Sequence, residues 1–524
     1  MKPDGSQIIL ATALLAADLG TSQSCPDYSS HSKARHEPFS PGKHALSYAR
    51  PIPACRTFNS STIESLVANM SDVIADPDLH RLFENTYPNT LDTAIRWRGF
   101  AANNPEEELT FVITGDIDAM WLRDSANQMQ SYLPVLEPDD GVDSIASLYR
   151  GVINLQARYL LTAPYCNSFQ PPVESGIPPA DNPGANKDTV VPGYDPAKVF
   201  ECKYELDSLA AFLRVSVDYY EATHDAAFFG RFQWVSAVQA VLATARAMMR
   251  PTYGEDGAVL DSPYTFERQT TRATETLAND GLGSPVARDT GLIRSAFRPS
   301  DDSTIFQFLI PANMMFAQSL AEAVFIVQEL GEGAPQGLAD EMRTLSRQLR
   351  EAITRFGIVP VVSGNGTAVE TVYAYEVDGY GGAVLMDDAN VPSLLAAPFM
   401  GYLAATDPVY QRTRARILSA KANPYFMTGP QINAVGGPHA GPGMAWPMAS
   451  IVRILTSDDD EEIVGVLREI LSTTDGLGLI HESVNSFDAS RWTRQWFSWA
   501  NGLFGQMILD LRFRKPHILQ QSFQ

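Results

Sequence analysis

The sequence predicts an all-α fold, a toroid of helical hairpins of the α/α-barrel kind, with long rim loops and minor β-hairpins. Three observations carry this. From Ser61 onward, segment after segment places apolar residues three and four apart; β-branched runs are few; and long Gly/Pro-rich connections alternate with short ones. Of 524 residues, 45% are hydrophobic and 10% aromatic, which supplies a large core. No linker-like stretch divides the helical series, so residues 61–524 are expected to form one domain.

Taken in order, residues 1–22 hold Lys2 and the mostly apolar run IILATALLAADLG, Ile8 to Gly20, interrupted by Asp18. They read as a signal peptide with a short apolar region. Residues 23–60, rich in Ser, Pro, Arg and His, read as an extended lead-in. Amphipathic helices are then expected at 144–161, 207–223, 234–249, 312–330 and 338–356. Smaller ones follow at 390–404, 408–421, 444–456 and 459–472, and a last one at 492–513. Strand character is confined to FGIVPVVS (356–363) and ETVYAYEVDG (370–379). Long loops fall at 164–200, 250–310, 360–389 and 423–443, and on a rigid helical scaffold such loops commonly carry function.

The net charge of −22 and the lack of any Lys/Arg cluster exclude a basic footprint, so nucleic acid and anionic membrane surfaces are poor partners. Beyond the N-terminus no run is expected to reach the roughly 18–20 apolar residues of a membrane span. The four cysteines fall as two pairs, one near the start and one flanking a Pro/Gly-rich loop. The pairing Cys25–Cys55 and Cys166–Cys202 is therefore favoured over the two others that four cysteines allow. Asn59, Asn69 and Asn365 head N-x-S/T sequons. With the leader and the even cysteine count they point to a secreted glycoprotein.

Four segments concentrate acids, aromatics and glycine. TGDIDAMWLRDSANQ, Thr114 to Gln128, sets Asp116, Arg123 and Asp124 beside Trp121; unpaired buried charge is costly, so this reads as a polar pocket with an aromatic wall. SAFRPSDDSTIF (295–306) has Arg298 ahead of adjacent Asp301 and Asp302. YEVDGYGGAVLMDDANVPSLL (375–395) carries Asp387, Asp388 and Asn390, and GLIHESVNSFDASRWTRQWFSWANGLF (478–504) carries His481 and Glu482. Metal patterns fail here. DID at 116–118 starts like a calcium loop, but Trp121 replaces its glycine and Asn127 its glutamate; HESVN at 481–485 lacks the second histidine of a zinc helix. GLGSP (281–285) is no nucleotide loop, and no G-x-S-x-G elbow occurs. Carboxylates on separate loops among Trp and Tyr fit glycosidic bond cleavage, which needs one acid and one base. The plain alternative is that Asp387–Asp388 and Asp301–Asp302 are helix N-caps.

The motifs TGDIDAMWLRDS, YELDSL, GLGSPV, FRPSDD, LIPANM, YEVDGYG, LMDDANVPSLL, HES and WFSWAN, spread from Ser61 to Phe513, resemble glycoside hydrolase family 125, exo-acting α-1,6-mannosidases. The resemblance implies an (α/α)6 barrel and metal-independent, inverting removal of terminal α-1,6-linked mannose, with no cofactor. It implies Glu482 as general base and Asp301 or Asp302 as general acid, with Asp207 next in line. Asp116, Trp121, Arg123, Asp124, Asp207, Arg298, Asp387, Asp388, Asn390, His439, His481 and Trp446 would then bind or frame the sugar. The expected partner is an α-1,6-mannosyl oligosaccharide, N-glycan or mannan, met by a monomer. The chain departs from the family pattern at Asp118, in place of proline, and in the loop VGGPHAGPGMAWP (435–447). Other readings are a mannose-binding protein with an altered site, or another α/α-barrel glycosidase of glucan or trehalose type.

Overall fold

The computed structural model describes residues 25–362, 366 and 368–524; the expected signal peptide and the Asn365 sequon lie outside the described residues. Helices of nine residues or more are α1 Ser61–Asn69, α2 Pro77–Thr86, α3 Leu122–Gln130, α4 Ile145–Thr162, α5 Leu206–Thr223, α6 Trp234–Ala247, α7 Ile310–Leu330, α8 Leu338–Ala352, α9 Pro408–Ile417, α10 Pro447–Leu455, α11 Asp460–Ser472 and α12 Ser498–Arg514. Local chemistry marks their starts. Asp76, Asp407 and Asp459 accept hydrogen bonds from the first free amides of α2, α9 and α11, and proline opens α2, α9 and α10.

Helices α3, α5 and α7 pack side by side, and α12 packs on both α3 and α10. α4, α6, α8 and α11 pack against these from outside. Burial varies from helix to helix. Every residue of α3 is buried, polar ones included, whereas α8 buries only Leu338, Met342, Leu345, Ser346, Leu349 and Ala352. One large apolar cluster runs through all of these helices. α7 and the residues just after it, Ile310–Gly333, are long and apolar enough to cross a membrane, contrary to the expectation that no segment would be; 78% of its apolar window is buried inside the protein, as a central core helix would be.

Three expectations about elements need correction. Residues 390–404 form turns rather than a helix: Pro392 is one break, and Asp387 draws the amides of Leu394 and Leu395 onto its carboxylate. A hairpin missed in the sequence joins Ile95–Ala101 to Asn104–Val112, its first strand alternating exposed positions with half-buried ones between buried ends. And α3 went unpredicted because charge and amide side chains mask its helical spacing. The expected strand pair does form, Ile358–Val362 against Val369–Tyr373. Both disulfides also join as favoured, Cys25–Cys55 and Cys166–Cys202.

Candidate active site

The N-terminal ends of α3, α5, α10 and α12 lie around one cup. Trp121, Trp446 and Phe497 stand at the N-caps of α3, α10 and α12, all three on its wall, and Glu205 stands at the N-cap of α5. Helix N-termini carry partial positive charge, so four of them suit a site rich in carboxylates and sugar-like oxygens. Trp499, Asn390 and His439 complete the polar and aromatic lining, together with Arg123, Asp124, Asp301, Glu482 and Arg494.

Glu482 leads into the short strand Ser483–Asn485 and is fixed from Asp488–Thr493 and the residue after it. The Thr493 hydroxyl donates to Oε2 at 2.9 Å, and Arg494 Nη1 lies 3.4 Å from Oε1. Arg494 also donates to Asp116 Oδ1 at 2.7 Å and to the Thr114 hydroxyl at 3.1 Å. Gly115 makes this approach possible. Its φ is +133°, and a Cβ there would lie 2.5 Å from the Trp496 carbonyl oxygen.

Asp301 sits in a tight turn at φ +67°, closed by Arg298 N–H to the Asp302 carbonyl at 2.8 Å. Asn167 Nδ2 lies 3.4 Å from its Oδ1. Burial raises the Asp301 pKa, but the cations Lys203 and Arg123 outweigh it and hold the carboxyl below the usual range, with Glu205 as a hydrogen-bond partner. Glu205 is driven the other way, well above the usual range, by burial and by Asp301 and Asp207, despite Arg123. Arg123 Nη1 forks between Glu205 at 2.5 Å and Asp207 at 2.9 Å. Asp124, on the cup wall, is pushed up to about 6 by burial, Arg123 opposing and Asp301 adding.

Not every expected residue reaches the cup. Asp302 lies behind Asp301, 3.9 Å from His439 and bonded to the Ser300 hydroxyl; burial lifts it to about 6. Asp388 accepts from Ser300 and Ala389, and Asp387 from Leu394 and Leu395, so the pair is used within turns and, with no helix following, is not the helix N-cap that was the plain alternative. Arg298 is buried on Glu376 at 2.6 Å, over the Tyr375 ring. Asp207 supports Arg123 from beneath. His481 is stacked on Trp492 at 4.5 Å, and burial lowers its pKa to about 4, so it is neutral. Asp116 faces a neighbouring cavity, through its pair with Arg494. Sequence reasoning did not single out Arg494, Glu205, Lys203, Asn167 or Thr114, although all but Asn167 lie in or beside a quoted motif and Asn167 follows Cys166. Their importance comes from neighbours distant in the chain.

Several polar atoms on the cup wall have no hydrogen-bond partner within the protein: Trp121 Nε1, Trp446 Nε1, Trp499 Nε1 and Asn390 Oδ1. Buried polar groups are normally satisfied, so such atoms mark where a ligand's hydroxyls can bond. Among the described residues no group of three or more His, Cys, Asp or Glu side chains is placed to hold a metal ion.

Residues 76–509 match the family described as metal-independent alpha-mannosidase (GH125). The Meiotically up-regulated gene 157 protein of Schizosaccharomyces pombe is 45% identical over 504 residues, covering 95% of each chain. A solved Streptococcus pneumoniae metal-independent alpha-mannosidase, in a non-productive complex with alpha-1,6-mannobiose, superposes with a TM-score of 0.74 at 32% identity. The match covers 87% of this chain and all of that one. On the family match, this relative and a cup of acids and tryptophans, the chain belongs to the GH125 metal-independent alpha-mannosidases and is a glycoside hydrolase.

Proposed function

We propose that the protein is an exo-acting α-mannosidase that removes non-reducing terminal α-1,6-linked mannose with inversion. The carrying observation is that Asp301 and Glu482, from separate loops, line one cup among tryptophans whose indole N–H groups are unpartnered. The bound α-1,6-mannobiose of the pneumococcal relative supports the linkage. The substrate class is an α-1,6-mannosyl oligosaccharide, on an N-glycan or mannan. The scaffold reads as an (α/α)6 barrel and residues 61–524 as one catalytic domain, acting as a monomer without cofactor. Residues 1–22 read as a cleaved leader and the product as secreted.

Glu482 takes a proton from water, which attacks the anomeric carbon as the glycosidic bond breaks. Asp301 gives a proton to the leaving oxygen. Glu205, a hydrogen-bond partner of Asp301, is itself held by Arg123 at 2.5 Å, which fixes the acid's position. Asp301 is favoured over Asp302 because it lies on the cup wall. An inverting pair stands about 6.5–9.5 Å apart, leaving room for the water.

The test is a panel of linkage-defined α-mannobioses with proton NMR of the first product. The 1,6-isomer should be cut and β-mannose should appear first. Glu482→Gln should lose about 100-fold or more in turnover while still binding mannose, as expected for a positioned base. Initial α-mannose, or near-normal turnover by that variant, would overturn the assignment.

A further inference from the structure

We propose that the cavity behind the Ile113–Asp118 strip binds leaving-group sugars of the substrate, and that the N-terminal lead-in builds one of its walls. The proposal rests on the function proposed above and adds a subsite to it. The cavity holds about 650 Å³, within the span of small-ligand sites, and adjoins the cup across a thin partition of two paired segments. Along that partition, side chains alternate. Thr114 and Ile117 face the cup, while Ile113, Asp116 and Asp118 face the cavity. The second layer is Trp496–Phe497, clamped to the strip by the Gly115–Phe497 bridge and by Ser498 N–H to the Thr114 carbonyl at 3.0 Å; Trp496 faces the cavity and Phe497 the cup.

One ion pair crosses between the two spaces. Asp116 lies on the cavity side, and its partner Arg494 lies in the cup against Glu482. The sugar beyond the scissile bond leaves the cup at this seam. The opposite wall comes from the lead-in: Tyr28, Ile52 and Thr57, tied by Cys25–Cys55, all ahead of residue 76, where the family match begins. This wall therefore belongs to the part of the chain outside the shared catalytic region.

The lining suits an uncharged polyhydroxyl ligand. Arg50 is committed to Asp92 and Glu64, Arg96 to Asp118 at 3.0 Å, and Asp116 to Arg494 at 2.7 Å, so neither arginine of the lining is free to hold an anion. The Arg96–Asp118 pair is partly exposed and offers both a donor and an acceptor to sugar hydroxyls.

The experiment compares two variants on two substrates. Ile52→Trp fills the cavity from its exposed lead-in wall, and Asp118→Ala removes the partner of Arg96. Each should raise KM for linear α-1,6-mannotetraose by about tenfold, equivalent to about 1.4 kcal/mol. Each should leave kcat/KM for an aryl α-mannoside, which has no sugar beyond the bond, unchanged. Equal KM for all chain lengths in the wild type, or the same change on both substrates, would overturn the subsite. A second readout separates this from failure of the proposed activity. Wild type inert on every α-mannobiose would sink the activity, whereas calorimetric binding of mannotetraose to Glu482→Gln, weakened by Ile52→Trp, would still establish the subsite. Binding indifferent to Ile52→Trp would refute it.

Discussion

At the scale of single residues, the site turns on charges that hold Asp301. Lys203 is fully buried, kept charged by Glu201 at 3.4 Å, and is the foremost cation acting on Asp301. Removing a positive charge lets a carboxyl keep its proton to higher pH. Lys203→Met should therefore move the alkaline limb of kcat/KM upward by about one pH unit. A lower kcat with an unmoved limb would show that Lys203 is only structural. The carboxylates themselves were legible in the sequence, because FRPSDD and HES carry them within long motifs. Lys203, Glu205 and Arg494 were not, since a charge matters here through what the fold brings beside it. The Asp387–Asp388 pair shows the reverse: it looks catalytic in the sequence, but its oxygens are used by backbone amides and a serine hydroxyl.

At the scale of elements, the partition is the most exacting piece of chain. Gly115→Ala would put a methyl group 2.5 Å from the Trp496 oxygen at a φ that side chains rarely adopt. Such strain costs about 1–3 kcal/mol. The expected result is a lowered denaturation midpoint together with lost turnover, since Arg494 and Glu482 hang on the same strands; a midpoint equal to wild type would refute it. Most core helices were legible because their apolar spacing is undisturbed, as in 144–161 and 338–356. Two kinds of element were not. α3 buries its polar face instead of exposing it, and 390–404 has helical spacing but is folded by Asp387 into turns. The Ile95–Val112 hairpin hid behind charged positions on its exposed side.

At the scale of the whole molecule, buried acids set how stability responds to pH. Burial lifts Asp124 and Asp302 to about 6 and Asp387 to about 7, from an ordinary 3.8. Between those values the folded chain binds protons that the unfolded chain has released, so stability falls as pH rises through this window. Glu64, Glu174 and Glu462 are held low by arginines despite burial, and weaken the fold only at more acid pH. The net charge of −22 adds self-repulsion that also grows with pH. Tm should be higher at about pH 5 than at about pH 7.5, and the opposite order by scanning calorimetry would contradict this reading. The helical class was legible because so much of the chain is amphipathic; the cup was legible only as a set of segments, since nothing local says which ends meet.

The Cys166–Cys202 bridge has a reach beyond its own loop. The residue after each cysteine, Asn167 and Lys203, touches or polarises Asp301, and the two are bonded to each other, Lys203 N–H to Asn167 Oδ1 at 3.1 Å. With Asp301 as the proposed acid, catalytic competence would depend on this bridge: a chain still in its dithiol form would hold Asp301 loosely, whatever the state of its helices. Cys166→Ser/Cys202→Ser should keep its helical circular dichroism yet lose turnover, and a fully active, folded double variant would break that tie. Under that tie, activity would depend on the redox conditions in which the chain folds.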